Sequence, residues 1–167
     1  FASLLNGLPE KLNAISTENI ERVVFENVVE ELLEIPGVSG YESVIRNYVM
    51  KKLAKLTDEM TVDDYGNILA EVTFGRGSRE PSLTILLNSH LDVVDEIEVG
   101  REILKCGPVW TSSSGILGAD DRAGIGVILH TLKKLQQMEF RAPVKVKIAF
   151  TVEEEVGLCG ARAVSAE

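Results

Sequence analysis

The stretch Leu83-Thr84-Ile85-Leu86-Leu87-Asn88-Ser89-His90-Leu91-Asp92 constrains this chain most. Its apolar part, residues 83–87, follows Pro81 and runs into polar residues. Such a run reads as a strand buried on both faces, of the kind found inside a parallel sheet. In open α/β sheets, ligands collect at the carboxyl ends of strands, and His90 and Asp92 stand at such an end. On extended backbone their side chains project to the same side. His90 is a candidate metal ligand, and Asp92 is placed to orient or polarise its ring. Alone, His-x-Asp is a weak signal, and its plainer reading is a polar strand end capped by its own loop.

Two acidic stretches downstream change that balance. They are Gly118-Ala119-Asp120-Asp121-Arg122-Ala123-Gly124 and Thr151-Val152-Glu153-Glu154-Glu155-Val156-Gly157. Each lies where an apolar segment meets a loop or a helix start. With His90 they make the donor set of a two-metal hydrolase. In that reading Asp120 bridges two ions, His90 holds one and Glu155 the other. Acidified water is the nucleophile, and a nearby carboxylate takes its proton and later delivers it to the leaving amine. Glu154 suits that task, because consecutive residues in non-helical backbone point in different directions. The plainer readings are that Asp120 is a helix N-cap and that Glu153 to Glu155 are a solvated acidic loop. His130, late in a helix beside Leu129, reads as surface or packing.

The rest of the chain supports one domain with a real core. At 167 residues and 45% hydrophobic it is long and apolar enough to fold. No run approaches the ~20 apolar residues of a membrane span, and the N-terminal residues lack the pattern of a signal peptide. A net charge of −9 without a basic patch argues against nucleic acid. Cys106 and Cys159 fit neither metal spacing nor a disulfide framework. They read as free thiols in a reducing cytoplasm.

Residues 1–16 read as an N-terminal arm of unclear role. From Thr17, the apolar residues Ile20, Val23, Val24, Val28 and Leu32 recur at helical spacing and stop before Pro36-Gly37. Ser39-Gly40-Tyr41-Glu42 reads as a capping box for a helix with Ile45, Tyr48, Val49, Leu53 and Leu56 on one face. Residues 59–63 and 67–74 flank Tyr65-Gly66 as antiparallel strands, and 75–81 form a polar turn. Residues 95–117 predict a hairpin or a flap above the site. Asp120 or Asp121 begins a helix facing inward through Ile125, Ile128, Leu129, Leu132 and Leu135. Residues 144–150 alternate as a strand, and a further helix begins within 157–164. The order is that of an α/β sandwich with a hairpin in a mixed sheet.

Taken together, Ser89-His90-Leu91-Asp92-Val93-Val94, the stretch from Gly115 to Gly124 and Glu154-Glu155-Val156-Gly157 resemble the three signatures of the co-catalytic zinc exopeptidases. That family includes peptidase T, carboxypeptidase G and acetylornithine deacetylase, and the aspartate pair followed by a basic residue looks most like peptidase T. Glu34-Ile35-Pro36-Gly37-Val38-Ser39-Gly40-Tyr41-Glu42 resembles the start of the family's catalytic domain, so the likeness covers residues 27–163. The resemblance implies a three-layer α/β/α sandwich with a mixed, largely parallel sheet. It implies His90, Asp120 and Glu155 as metal ligands, Glu154 as general base, Asp92 as support for His90, and a cis Asp120-Asp121 peptide. The cofactor is then two divalent ions, zinc first, with manganese or cobalt as alternatives. The substrate is a short peptide, or an N-acyl amino acid if the chain is a deacylase; a third reading is a non-catalytic α/β module. Homo-oligomers are expected.

Family members are much longer and supply a further carboxylate and a late histidine, which His130 cannot be because it precedes the glutamates. Residues 17–167 therefore look like the N-terminal part of a catalytic domain, without its lid or dimerisation domain. The 167-residue chain alone is expected to be inactive and to bind metal weakly.

Overall fold

Helix α1 (Thr17–Leu33) carries Glu18 in its first turn and stops short of Pro36, as its sequence predicts. Of the apolar residues at helical spacing, Leu32 is buried and Val28 packs against the core, while those in the first half are exposed. Ile20 and Val23 are each 53% exposed, while Val29, Leu32 and Leu33 are buried. Only the end of α1 reaches the core. The computed structural model describes residues 17–75, 81 and 83–164. The arm expected at 1–16 and most of the polar turn expected at 75–81 lie outside the described residues.

Helix α2 (Ser43–Leu53) buries Ile45, Val49 and Leu53, which recur every fourth residue on one face. The capping box does not form. Glu42 precedes the helix, yet its side chain makes no cap hydrogen bond. Ser39 and Glu42 instead turn towards the ends of the sheet strands.

Strands β1 (Glu59–Val62) and β2 (Ile68–Phe74) pair antiparallel across the expected turn. There, Asp63 Oδ1 accepts the N–H groups of Tyr65, Gly66 and Asn67, and Gly66 takes φ 109°, a conformation that favours glycine. Strand β3 (Leu83–His90) leads to the site. The hairpin expected within 95–117 is β4 (Ile103–Cys106) and β5 (Val109–Ser112), turning at Gly107-Pro108. The hairpin is tied to α1 through Lys105 to Glu30 at 2.8 Å, and Arg101, just before it, donates to the Leu33 carbonyl. Helix α3 (Ala119–Gln137) buries Ile125, Ile128, Leu129 and Leu132. Strand β6 (Val144–Thr151) and the short helix α4 (Cys159–Ala163) follow.

The sheet order is β1-β2-β6-β3. The α/β class and the mixed sheet are as expected. Among the named strands of the described residues only β3–β6 is parallel, since β1–β2 and β2–β6 are antiparallel; a single parallel bridge also joins Val38 and Val93. On one sheet face, Ile68, Val72, Val146, Ile148 and Phe150 join Leu32, Ile45, Val49, Leu53, Ile125 and Leu132 in a single core. The long helices α1, α2 and α3 thus all meet the same face.

β3 is not buried on both faces. It is an edge strand among the described residues, with Leu83 52%, Ile85 40% and Leu86 63% exposed. Apolar composition alone did not reveal this, since a run looks the same at an edge or in the centre. No helix among the described residues is long and apolar enough to cross a membrane. Cys106 and Cys159 are free thiols.

Candidate metal centre

Parallel pairing of β3 with β6 sets His90 opposite Thr151. Both strands therefore end on the same edge, and the residues just after them meet there. The loop after Thr151 is sharply turned. Glu153 takes φ 52° and Leu158 φ 60°, and Glu154 O accepts the N–H groups of Gly157 and Leu158. Asn67, fully buried, ties this loop to the β1–β2 turn: its amide oxygen accepts from Val152 N at 3.1 Å and its nitrogen donates to Gly160 O at 2.9 Å.

The third segment of the site is the entry to α3. Asp120 and Asp121 are non-helical and joined by the expected cis peptide, so the regular helix starts at Arg122. Asp121 Oδ1 accepts the Gly124 N–H at 2.9 Å, which is N-cap chemistry. Capping thus falls to Asp121, and Asp120 is left to face His90. Ser89 Oγ donates to Asp121 O at 3.1 Å and fastens this turn to the end of β3.

His90 Nε2 lies 3.0 Å from Asp120 Oδ1 and 3.9 Å from Glu154 Oε2. Its Nδ1 faces Asp92, 3.1 Å from the carbonyl oxygen and 3.4 Å from Oδ1. One ligand atom each from His90, Glu154 and Glu155 falls within 4.8 Å of the others. The sequence-predicted residues do come together, with one difference in emphasis. The tightest three-way set among the described residues holds Glu154, expected as the base, whereas Asp120 touches His90 from a side chain 86% exposed. Glu153 departs from the group: its carboxylate accepts from Tyr65 Oη at 2.8 Å, and this pushes the phenol up to about 12. His130 stacks edge-on against Phe25, 5.4 Å between ring centres, a packing role as expected.

Behind the site lies a buried polar plate. Asp92 is fully buried, and its Oδ1 accepts Glu154 N at 3.0 Å. Oδ2 accepts Glu155 N at 3.1 Å and Ser39 Oγ at 2.7 Å. Burial alone would raise its pKa, but the contacts from His90, Ser39 and the two backbone N–H groups outweigh it and hold the carboxyl well below the usual range. Burial likewise works against a proton on His90, yet Asp92, Asp120 and Glu154 raise its pKa to about 9. Glu155 is also raised, first by burial and then by Asp120 and Glu154, against the opposing pull of His90. A field that holds a proton on imidazole is one that favours a cation. One imidazole nitrogen with several carboxylate oxygens is a donor set suited to zinc or manganese.

Sequence reasoning missed the role of residues 35–42. Ile35 O accepts from Arg122, Gly37 O accepts from Val93 N, Ser39 holds Asp92, and Glu42 reaches Glu153 N. The capping-box pattern hid them, because Ser and Glu at that spacing serve a helix start and a distant loop equally well.

Residues 80–167 match the family described as M42 glutamyl aminopeptidase. The chain is 31% identical over 161 residues to Peptidase T of Clostridium acetobutylicum, covering 89% of this chain and 39% of that protein. It resembles the structure of a tripeptidase from Staphylococcus aureus, with TM-score 0.72 and 26% identity over 85% of this chain and 39% of that one. Aminopeptidase PepT from Bacillus cereus is similar at TM-score 0.73 and 27% identity, covering 84% and 39%. The chain spans well under half the length of these relatives.

Proposed function

Because the chain belongs to the M42 glutamyl aminopeptidase family, we propose that it carries the metal-binding edge of a metal-dependent exopeptidase acting on short peptides. The observation that supports this reading most directly is the meeting of His90, Glu154 and Glu155 within 4.8 Å, with Asp120 3.0 Å from the His90 ring. We assign His90, Asp120 and Glu155 as ligands to two divalent ions, zinc foremost and manganese or cobalt in its place. When bound, such ions polarise the amide carbonyl and acidify water. Glu154 takes the proton of the attacking water at its carboxylate and delivers it to the leaving amine. Asp92 fixes the His90 ring through Nδ1 and, through two backbone N–H groups, sets the directions of Glu154 and Glu155. Residues 17–167 form the N-terminal part of the catalytic domain in this reading. We place the enzyme in the cytoplasm, consistent with two unpaired thiols, and as a homo-oligomer, consistent with the exposed apolar edge of β3.

Separating the two glutamates tests the assignment. In the protein that carries this sequence, Glu154→Gln should keep metal affinity and lose turnover on tripeptides by about 10²–10⁴-fold, the usual worth of a general base. Glu155→Gln should weaken metal binding. The opposite pattern would exchange their roles. Turnover of N-acetyl amino acids but not tripeptides would make the protein a deacylase with the same centre.

A further inference from the structure

Three successive backbone N–H groups at the site each donate to a buried carboxylate. Asp92 takes those of Glu154 and Glu155, at 3.0 and 3.1 Å. Glu42 Oε1 takes that of Glu153 at 3.0 Å and also that of Gly40 at 2.9 Å. Glu42 is only 5% exposed. Burying a carboxylate is costly unless it is hydrogen-bonded and balanced by charge. The balancing charge is Arg122, the largest of the fully buried side chains, whose field acts on both Asp92 and Glu42. Its guanidinium donates to Leu91 O at 2.6 Å and to Ile35 O at 3.2 Å. It meets no carboxylate within ion-pair distance among the described residues. The cation is thus centred behind the loop, clamped to the two segments that carry Asp92 and Glu42.

We propose that Glu42 is a positioning residue for the proposed catalytic loop. Its carboxylate oxygen holds the Glu153 backbone in its left-handed turn, φ 52°. That turn decides that Glu153 faces Tyr65 while Glu154 and Glu155 face His90. The inference rests on the metal-hydrolase reading for its consequence but not for its geometry. Helix capping does not account for Glu42, whose side chain bonds no N–H of α2.

The test compares Glu42→Gln with Glu42→Asp in the protein that carries this sequence. Gln keeps an oxygen at the same reach and loses the charge. Asp keeps the charge and draws the oxygen back by one methylene. Positioning predicts that Glu42→Gln leaves hydrogen exchange of the Glu153, Glu154 and Glu155 amides within about threefold of wild type. Glu42→Asp should accelerate them at least ~10-fold while the amides of α3 stay protected. Zinc affinity should follow, unchanged in Glu42→Gln and about 10–100-fold weaker in Glu42→Asp. The reverse ranking would mean that only the charge matters, and the proposal would fall. Equal acceleration across the whole chain would show a merely structural role and overturn it as well. So would a loop that opens with zinc affinity untouched. If the wild type binds no zinc but the loop amides respond as stated, the metal reading fails and the positioning inference stands.

Discussion

His90 is the residue on which the chemistry of the site turns, and its titration is the simplest handle on it. Its pKa in the fold, about 9, lies above the ordinary 6.5. Protonation therefore favours the metal-free fold. The contribution is complete below about pH 6.5 and is lost as pH rises through about 9. Asp92 works in the opposite sense: its lowered pKa stabilises the fold above the usual carboxylate range, and this is lost only in strong acid. An NMR titration of the metal-free chain should place the His90 imidazole near 9. A metal ion needs the neutral ring and displaces that proton. Apparent zinc affinity should accordingly climb from pH 6 to about 9 and then level. A His90 titration near 6.5, with zinc affinity flat across this range, would show that the carboxylates do not act on the ring as their distances suggest. The motif His-x-Asp could be read as a ligand and its support. That Asp92 also binds the backbone of the glutamate loop, 62 residues away in sequence, could not be read.

Helix boundaries were legible because capping residues, prolines and fourfold spacing act locally. Two assignments went astray where distant chain decides. The capping box at Ser39 and Glu42 was overridden, since a buried carboxylate and an unpaired loop amide offered both side chains better partners. β3 lies at an edge, and strand order depends on pairing rather than on composition. α4 is a further case of local sequence serving distant packing. It closes against the Val152 backbone through Gly160, where an added Cβ would stand 2.3 Å from Val152 O and 2.5 Å from Asn67 Oδ1. Gly160→Ala should therefore cost about 1–3 kcal/mol by overpacking and loosen the neighbouring glutamate loop. Chemical denaturation checks the first effect and zinc affinity the second; a silent Gly160→Ala would mean α4 is free to shift away.

The 167-residue chain brings one histidine and three carboxylates, Asp120, Glu154 and Glu155, to its candidate centre among the described residues. Catalytic zinc generally takes three protein ligands and water. In the proposed assignment, His90 and Asp120 would hold one ion and Asp120 and Glu155 the other, so each would have two protein ligands, one of them shared. Calorimetry on the 167-residue chain should thus find weak zinc binding, with dissociation constants above micromolar, and no turnover of tripeptides. Submicromolar binding of two ions with turnover would show that these residues suffice. The same chain should self-associate through the exposed apolar residues of β3, and Leu86→Lys should shift it towards monomer in sedimentation. What the sequence determined by itself was the inventory: which segments are helix and strand, which residues are of a type that can hold a metal, and the family resemblance of their three motifs. These follow from local backbone preference and residue type. What only the tertiary structure decided was the company each residue keeps. Parallel pairing of β3 with β6 brings His90 beside the glutamates, Asp121 rather than Asp120 caps α3, and Asp92, Glu42 and Arg122 form a buried charge cluster behind them. Such contacts join residues far apart in the chain, and no local pattern encodes which of several chemically equivalent partners a side chain will meet.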